Sequence, residues 1–493
     1  MRHNRSMVIS KRSPFAAALI LALAVPALAA AQEEVTVKTL AAPDYFSGPV
    51  TDTGIGGDLW KGTSPAIMRD ALPKLAGSKP LSPAFASLAR RLLSTGANGP
   101  AGVGDDAEMG AQRGLALIAL GEAKGANAVL DRVTGAPGSA ALSMAAAEAA
   151  LISGDDDKAC RVEQALTVDR GAAYWLRLRA FCQLKADQPD AAQLTFQLAQ
   201  NATKDADYGR LMGAALAGSA PGAANLKNGV NYALSRRLNL DVQSAAAIAS
   251  ASPALKPVLK PSGDISGVAS GADLTAQEAS DLAFLRQAKT LTAFIEAAHA
   301  SAASIAVLAS AGGPLQDPVL LARAAVASGD VASAQAIRGR LVGDTIPGAS
   351  AADLAILDAL IAAASGKADN QVLDNLVARG ATGGSKSPAQ SAAVLLHALG
   401  GTLDADARAQ FAAFDLAKPA ASPARALLLE DAGAAKRKGE AGLLALSIAQ
   451  DAGATGPAPV DRARIAQALN HAGLALDARA IVVEGVLGLA FTK

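Results

Sequence analysis

A short pattern recurs at five places along this chain: a small-residue helix end, a turn at Gly or its equivalent, and an Ala five residues on. The segments read LGEAKGA, SGDDDKA, KADQPDA, SGDVASA and AGLALDA. They pair Gly121 with Ala126, Gly154 with Ala159, Ala186 with Ala191, Gly329 with Ala334, and Gly473 with Ala478. The first three turns lie 33 and 32 residues apart, which makes them consecutive units. Gly ends the first helix of such a unit by taking a left-handed backbone conformation at little steric cost. A polar residue then starts the second helix by accepting a hydrogen bond from its free amides. Ala fits where two helices nearly touch. A single hairpin cannot bury its own apolar face, so neighbours must stack.

Composition points the same way. Aromatic residues are only 3% of the chain while 51% is hydrophobic, much of it Ala, the strongest helix former. The alternation of β-branched and aromatic residues that marks strands is nearly absent after Val37. The expected fold is all-α: helical-hairpin repeats stacked as an α-solenoid, in two segments.

The stretch Trp175 to Leu198 resembles a tetratricopeptide repeat, whose first helix reads W-x2-L and whose turn is followed by Ala. Trp175, Leu178 and Ala191 fall on those positions when Ala186 is placed at the turn. Arg179, Cys182 and Thr195 depart from the family's small and aromatic positions. Regular spacing covers only about residues 110–205. The resemblance implies a helical-hairpin array and no particular ligand-binding subclass.

The first residues speak to compartment. Lys11 and Arg12 precede the apolar run Phe15 to Ala27, and Ala29-Ala30-Ala31 offers a small-residue cleavage site, the layout of a secretory signal peptide. The run is shorter than the roughly 20 residues that span a bilayer. Cleavage near Ala31 removes four basic residues and no acid, leaving 41 basic and 44 acidic residues, a formal charge of −3. Such a balance offers no field for nucleic acid. No later stretch reaches spanning length without charge or turn residues, so no integral membrane segment is expected after cleavage. The expected location is the periplasm or the medium.

Turn-rich breaks divide the remainder. Residues 32–57 read as an extended or disordered lead-in, 58–251 as an N-terminal helical-repeat segment, 252–273 as a linker carrying Pro253, Pro257 and Pro261, and 274–493 as a C-terminal helical-repeat segment. Ser64-Pro65, Ser387-Pro388 and Ser422-Pro423 each place an N-cap before a first-turn Pro.

Few residues invite chemistry. Cys160 and Cys182 lie on the second helix of one unit and the first helix of the next. Stacking brings those helices side by side and export places them in an oxidising compartment, so a disulfide is expected. Two buried thiols packing as small hydrophobes are the alternative. Glu296-x-x-His299 would need a second such motif and two further Glu residues to hold two metal ions, and no second motif exists. His397 and His471 read as isolated helix residues. Asp155-Asp156-Asp157 reads as a solvated helix start, and Lys436-Arg437-Lys438 as a helix end, each favoured by the helix dipole. Nucleophile-elbow, zinc-protease, P-loop and dinucleotide signatures are all missing. No catalytic residue, cofactor or metal is therefore expected, and a small-molecule ligand is not favoured. The function expected is an exported scaffold or adaptor that binds a protein or peptide partner in the cell envelope. The alternative is a cell-wall-active enzyme or a regulator of one.

Overall fold

The computed structural model describes residues 44–48, 53–77, 79–131, 136–259, 274–341, 349–366, 369–384 and 387–491. All of these belong to the compact unit Pro43–Lys493. The signal peptide read at 1–31, the lead-in up to residue 43 and residues 260–273 of the linker lie outside the described residues. Among the described residues the chain is all-α, with twenty-five α-helices packed against their neighbours and no strand.

In the first half these are α1 (Pro65–Ala76), α2 (Pro83–Ser94), α3 (Ala107–Ala119), α4 (Ala123–Leu130), α5 (Ala140–Ser153), α6 (Asp156–Ala165), α7 (Ala173–Lys185), α8 (Pro189–Ala202), α9 (Ala206–Ala217), α10 (Gly229–Arg237), α11 (Ala245–Ser250) and α12 (Lys256–Leu259). The second half holds α13 (Leu274–Gln287), α14 (Leu291–Ala300), α15 (Ala302–Ala311), α16 (Pro318–Ala327), α17 (Val331–Gly339), α18 (Ala351–Ser365), α19 (Asn370–Thr382), α20 (Pro388–His397), α21 (Ala405–Ala412), α22 (Pro423–Ala434), α23 (Lys438–Ala452), α24 (Pro459–His471) and α25 (Ala475–Gly488). Local signals set the boundaries. Pro occupies the first position of α1, α20 and α22, and Ser350 with Asp353 forms a reciprocal capping box at the start of α18. None of these helices is long and apolar enough by itself to cross a membrane.

Six hairpins close on one and the same turn. Its left-handed residue is Gly121 between α3 and α4, Gly154 between α5 and α6, Asp187 between α7 and α8, Gly329 between α16 and α17, Lys436 between α22 and α23, and Gly473 between α24 and α25. In each, the next residue donates its N–H to the carbonyl five positions back: Glu122 to Leu117, Asp155 to Ala150, Gln188 to Gln183, Asp330 to Ala325, Arg437 to Ala432, and Leu474 to Leu469. This closes the orphan carbonyls of the first helix. Five residues beyond the left-handed position stands a fully buried alanine in every case: Ala126, Ala159, Ala192, Ala334, Ala441 and Ala478.

The third unit therefore sits one residue later than the pair Ala186 and Ala191 suggests. Asp187 carries the positive φ of 54°, Ala192 is buried, and Ala191 is only half-buried. Aspartate tolerates that conformation better than most side chains. Lys436 with Ala441 is a sixth unit that a search for Gly does not find.

The core does not follow the chain from one end to the other. Helices α1 and α2 pack on α23, and α2 also packs on α25, so the start and the end of the unit meet. Helix α25 in turn packs on α18, α20 and α24. At the meeting point the Arg462–Glu484 ion pair is almost wholly buried, with side chains 4% and 3% exposed and an N–O distance of 2.7 Å. Glu484 also accepts from the Ser82 hydroxyl and the Ala84 amide at the start of α2. Arg462 gives its other donors to the carbonyls of Pro457 and Thr455.

Of the expected lead-in, the described parts are irregular in backbone yet packed: Phe46 and Ile55 belong to the core. The wholly buried Arg113 holds this stretch by donating to the carbonyls of Tyr45, Gly48, Leu93 and Thr95. Burial lowers its pKa to about 10. In the stretch 252–273, Leu255 and Leu259 are buried and Pro257 seats against the turn at Gly121.

Two stability predictions follow from this packing. Ala192→Leu overpacks a hairpin and is expected to cost about 1–3 kcal/mol, whereas Ala191→Leu costs less than about 1. Equal losses in urea unfolding contradict the register. Glu484→Ala leaves Arg462 buried and unpaired, an expected loss of about 3–5 kcal/mol. Glu430→Ala, at the half-exposed pair with Arg464, should cost less than about 1 kcal/mol in the same measurement.

Candidate functional site

Helix α5 is rich in alanine, begins at Ser139, whose hydroxyl accepts from the Leu142 amide, and ends at left-handed Gly154. Residues Ala140, Met144, Glu148 and Leu151 share one stripe of it by their spacing of three and four. The stripe has two halves. Ala140, Ala141 and Met144 line an open groove of about 580 Å³, facing Gly171, Ala172, Tyr174 and Trp175 at the start of α7. Glu148 and Leu151 lie instead beneath the first residue of α10.

Helix α10 packs on α5 and α7, the first helices of two successive hairpins, as well as on α9. Residues Gly229 to Ser235 are all buried. The Gly229 amide donates to Glu148 Oε2 at 2.9 Å. At the other end Arg236 pairs with Asp156 at 2.6 Å and stacks on Tyr232 with its guanidinium carbon 4.8 Å from the ring centre, and Arg237 donates to the Leu184 carbonyl.

Polar atoms beside this seat are left over. Glu148 Oε1 and the Tyr174 hydroxyl are buried near each other with no well-formed hydrogen bond, and Arg236 Nε is unpartnered as well. Each such atom costs about 1–3 kcal/mol if nothing satisfies it. Burial pushes the Glu148 carboxyl above its ordinary value, outweighing the Gly229 amide and the phenol that pull it down. Burial and the neighbouring carboxylate push the Tyr174 hydroxyl well above its usual range. Tyr174 also meets Trp175 edge-on, with ring centres 5.0 Å apart. The groove thus offers a floor of small residues, a flexible Met and an aromatic wall that includes Tyr174, with the buried Glu148 carboxyl one turn further along α5, a combination expected of a recognition site.

The disulfide joins the same two hairpins from another side. Cys160 on α6 is bonded to Cys182 on α7, with Cα atoms 5.5 Å apart and 22 residues of separation. Closing that loop contributes roughly 3 kcal/mol by chain entropy. Trp175 and Leu178 are buried in the cluster around it. The six turns described above place Gly121, Gly154, Gly329 and Gly473 at hairpin ends, so these repeat residues shape the array and do not line the groove.

The remaining candidates stay scattered. Glu296 and His299 both lie on the exposed side of α14, His471 is exposed, and His397 stacks on Phe411 with 5.1 Å between ring centres. Asp155 caps α6, Asp156 pairs with Arg236, and Asp157 pairs with Lys185. Lys438 pairs with Asp58 and Arg437 with Glu440. Among the described residues no group of three or more His, Cys, Asp or Glu is placed to hold a metal ion. A second groove, about 400 Å³ between α1, α22 and α23, is lined by Ile67, Leu428, Leu443 and Leu444, and no unpartnered buried polar atom lines it.

The groove by α5 and the role of Glu148 were not readable from sequence, because Glu148 sits in an Ala-rich helix with no motif around it. The one available signal was a lone acid on the apolar face of a strongly hydrophobic helix.

The raised pKa of Glu148 has a definite consequence for stability. The folded chain binds this proton more tightly than the unfolded chain, so the contribution is complete below the unfolded carboxyl's range and fades as pH rises through the folded value. Glu148→Gln keeps an acceptor for Gly229 and removes the charge. It is expected to raise the melting temperature at pH 8, with the gain shrinking toward pH 4. A loss at pH 8, or a gain that ignores pH, contradicts this.

No protein-family model, no curated protein and no solved structure matches this chain.

Proposed function

We propose that this protein is an exported helical-repeat scaffold that holds a segment of a protein partner in the cell envelope, in the groove between α5 and α7. The observation that carries the reading is an open, mainly apolar groove that continues a face already covered by a helix. First helices of successive hairpins present such a face because each repeat adds a strip of surface. The 33-residue step from Gly121 to Gly154 and again to Asp187 supports kinship with tetratricopeptide-like arrays. The Cys160–Cys182 bond supports an oxidising location, in line with the signal peptide read at residues 1–31.

Partner capture is the direct test. A photo-crosslinking residue in place of Met144 is expected to give one dominant protein adduct in intact envelopes. The adduct should vanish when Ala141→Arg fills the groove, with the melting temperature of that variant unchanged. The same residue in place of Leu427, which is 63% exposed and remote from the groove in sequence, should give none. Failure to form an adduct from position 144, or equal adducts from both positions, refutes the proposal.

A further inference from the structure

We infer that α10 is a tethered occupant of a helix-binding groove, and that the partner accepted there is a short helix of the same type. Such a helix has a small first residue, an aromatic at its fourth position and arginine in its last turn. The inference rests on the groove reading above and adds the chemistry of the partner and a means of regulation.

The course of the chain is the first support. After α8 and α9 the hairpin step stops. Residues 218–228 form no helix and contain Gly218 and Gly222 at positive φ. Beyond this loop α10 packs back on α9 and also crosses α5 and α7, the first helices of two earlier hairpins, which no other second helix of a hairpin does among the described residues of this half.

The manner of seating is the second. Both ends of α10 are read by groups of the array: Glu148 takes the first amide, Asp156 takes Arg236, and the last turn of α7 takes Arg237. A carboxylate at a helix start and another at arginine in the last turn favour one direction of lying in the groove. Gly229 is demanded by contact. A Cβ there would come within 2.8 Å of the Leu151 Cβ and 2.9 Å of Glu148 Oε2. The helix is recognised at three points, as a ligand is.

The third support is that the fit is incomplete. Glu148 Oε1 and the Tyr174 hydroxyl are buried near each other beside the start of α10 with no well-formed hydrogen bond, and the groove on the same stripe of α5 stands open over Met144 and Tyr174. A second helix whose leading residues fill that space, and donate to Glu148 or Tyr174, would make contacts that α10 leaves unmade. It would therefore displace α10 from the seat, and α10 would in turn exclude weaker partners.

The test supplies α10 in trans. The probe is a fluorescein-labelled peptide with the sequence of residues 225–240, added to the full oxidised chain. Wild-type protein is expected to bind it weakly. The Gly229→Leu protein, whose own helix no longer seats, should bind it at least ten-fold more tightly. A peptide carrying the same Gly→Leu change should show no gain, and Glu148→Ala in the Gly229→Leu protein should abolish it. A folded Gly229→Leu protein with its disulfide intact and no tighter binding overturns the inference. If that variant does not fold, hydrogen exchange on the wild-type chain decides. Amides of α10 should exchange at least ten-fold faster than buried amides of α5 and α7, and equal protection makes α10 a fixed part of the core. Peptide binding in trans without an envelope adduct from position 144 would sink the scaffold reading alone. An adduct without binding in trans would sink only the displaceable helix.

Discussion

Two charges with almost no water around them join the start and the end of the described unit. Arg462 and Glu484 are buried where α2 meets α24 and α25, and neither would be tolerated there alone. The pair is complete only when residues from both ends of the unit arrive. Glu484 needs the hydroxyl and amide at the start of α2, and Arg462 needs the carbonyls before α24. An apolar contact would accept many slightly different approaches of α2 to α25. This hydrogen-bonded set accepts one. Arg91 repeats the lesson a short distance away by pairing with buried Asp477 on α25 and with the Thr53 carbonyl. The second-half helices α18 and α20 then lean on an α25 already fixed from the other side.

The molecule has a second way of burying a cation. Arg113 is satisfied by four backbone carbonyls, with the Asp44 carboxylate near enough to favour its charge and the Phe46 ring near its guanidinium. Tyr45, Gly48 and Thr95 lie outside the helices and Leu93 in the last turn of α2, so no helix bond claims their carbonyls. The packed lead-in around Tyr45 and Gly48 and the buried Arg113 therefore require each other. Neither could be inferred from composition, in which a Gly- and Thr-rich stretch reads as loose.

The hairpin turn was legible wherever Gly marks it, because only Gly takes the left-handed conformation freely. It was misplaced by one residue at Asp187 and missed at Lys436, where the closing hydrogen bonds and the packing of Ala192 and Ala441 hold a less suitable residue in the same geometry. A strict 33-residue step from Gly154 would have pointed to Asp187. The disulfide was legible because stacking order brings consecutive hairpins together. Contacts across some 400 residues, such as Ser82 with Glu484, have no periodic trace in the sequence. Glu148 was likewise silent: its environment comes from α7 and α10, which no local pattern connects to α5.

The disulfide and the groove occupy the same joint, and that limits how the joint can work. A hairpin array tends to let neighbouring units slide, since their contacts are broad and apolar. Here the bond from Cys160 on α6 to Cys182 on α7 ties together the two hairpins whose first helices wall the groove. A pre-organised site lowers the cost of exchange between occupants, and a covalent tie between the two walls is one way to supply it. That is the condition under which a tethered helix with unsatisfied neighbours can act as a stand-in for a partner and not as a wedge on which the fold depends. In the proposed exchange the incomplete seat of α10 and the covalent brace beside it would act together: the brace would keep the groove, and the poor fit would keep it available.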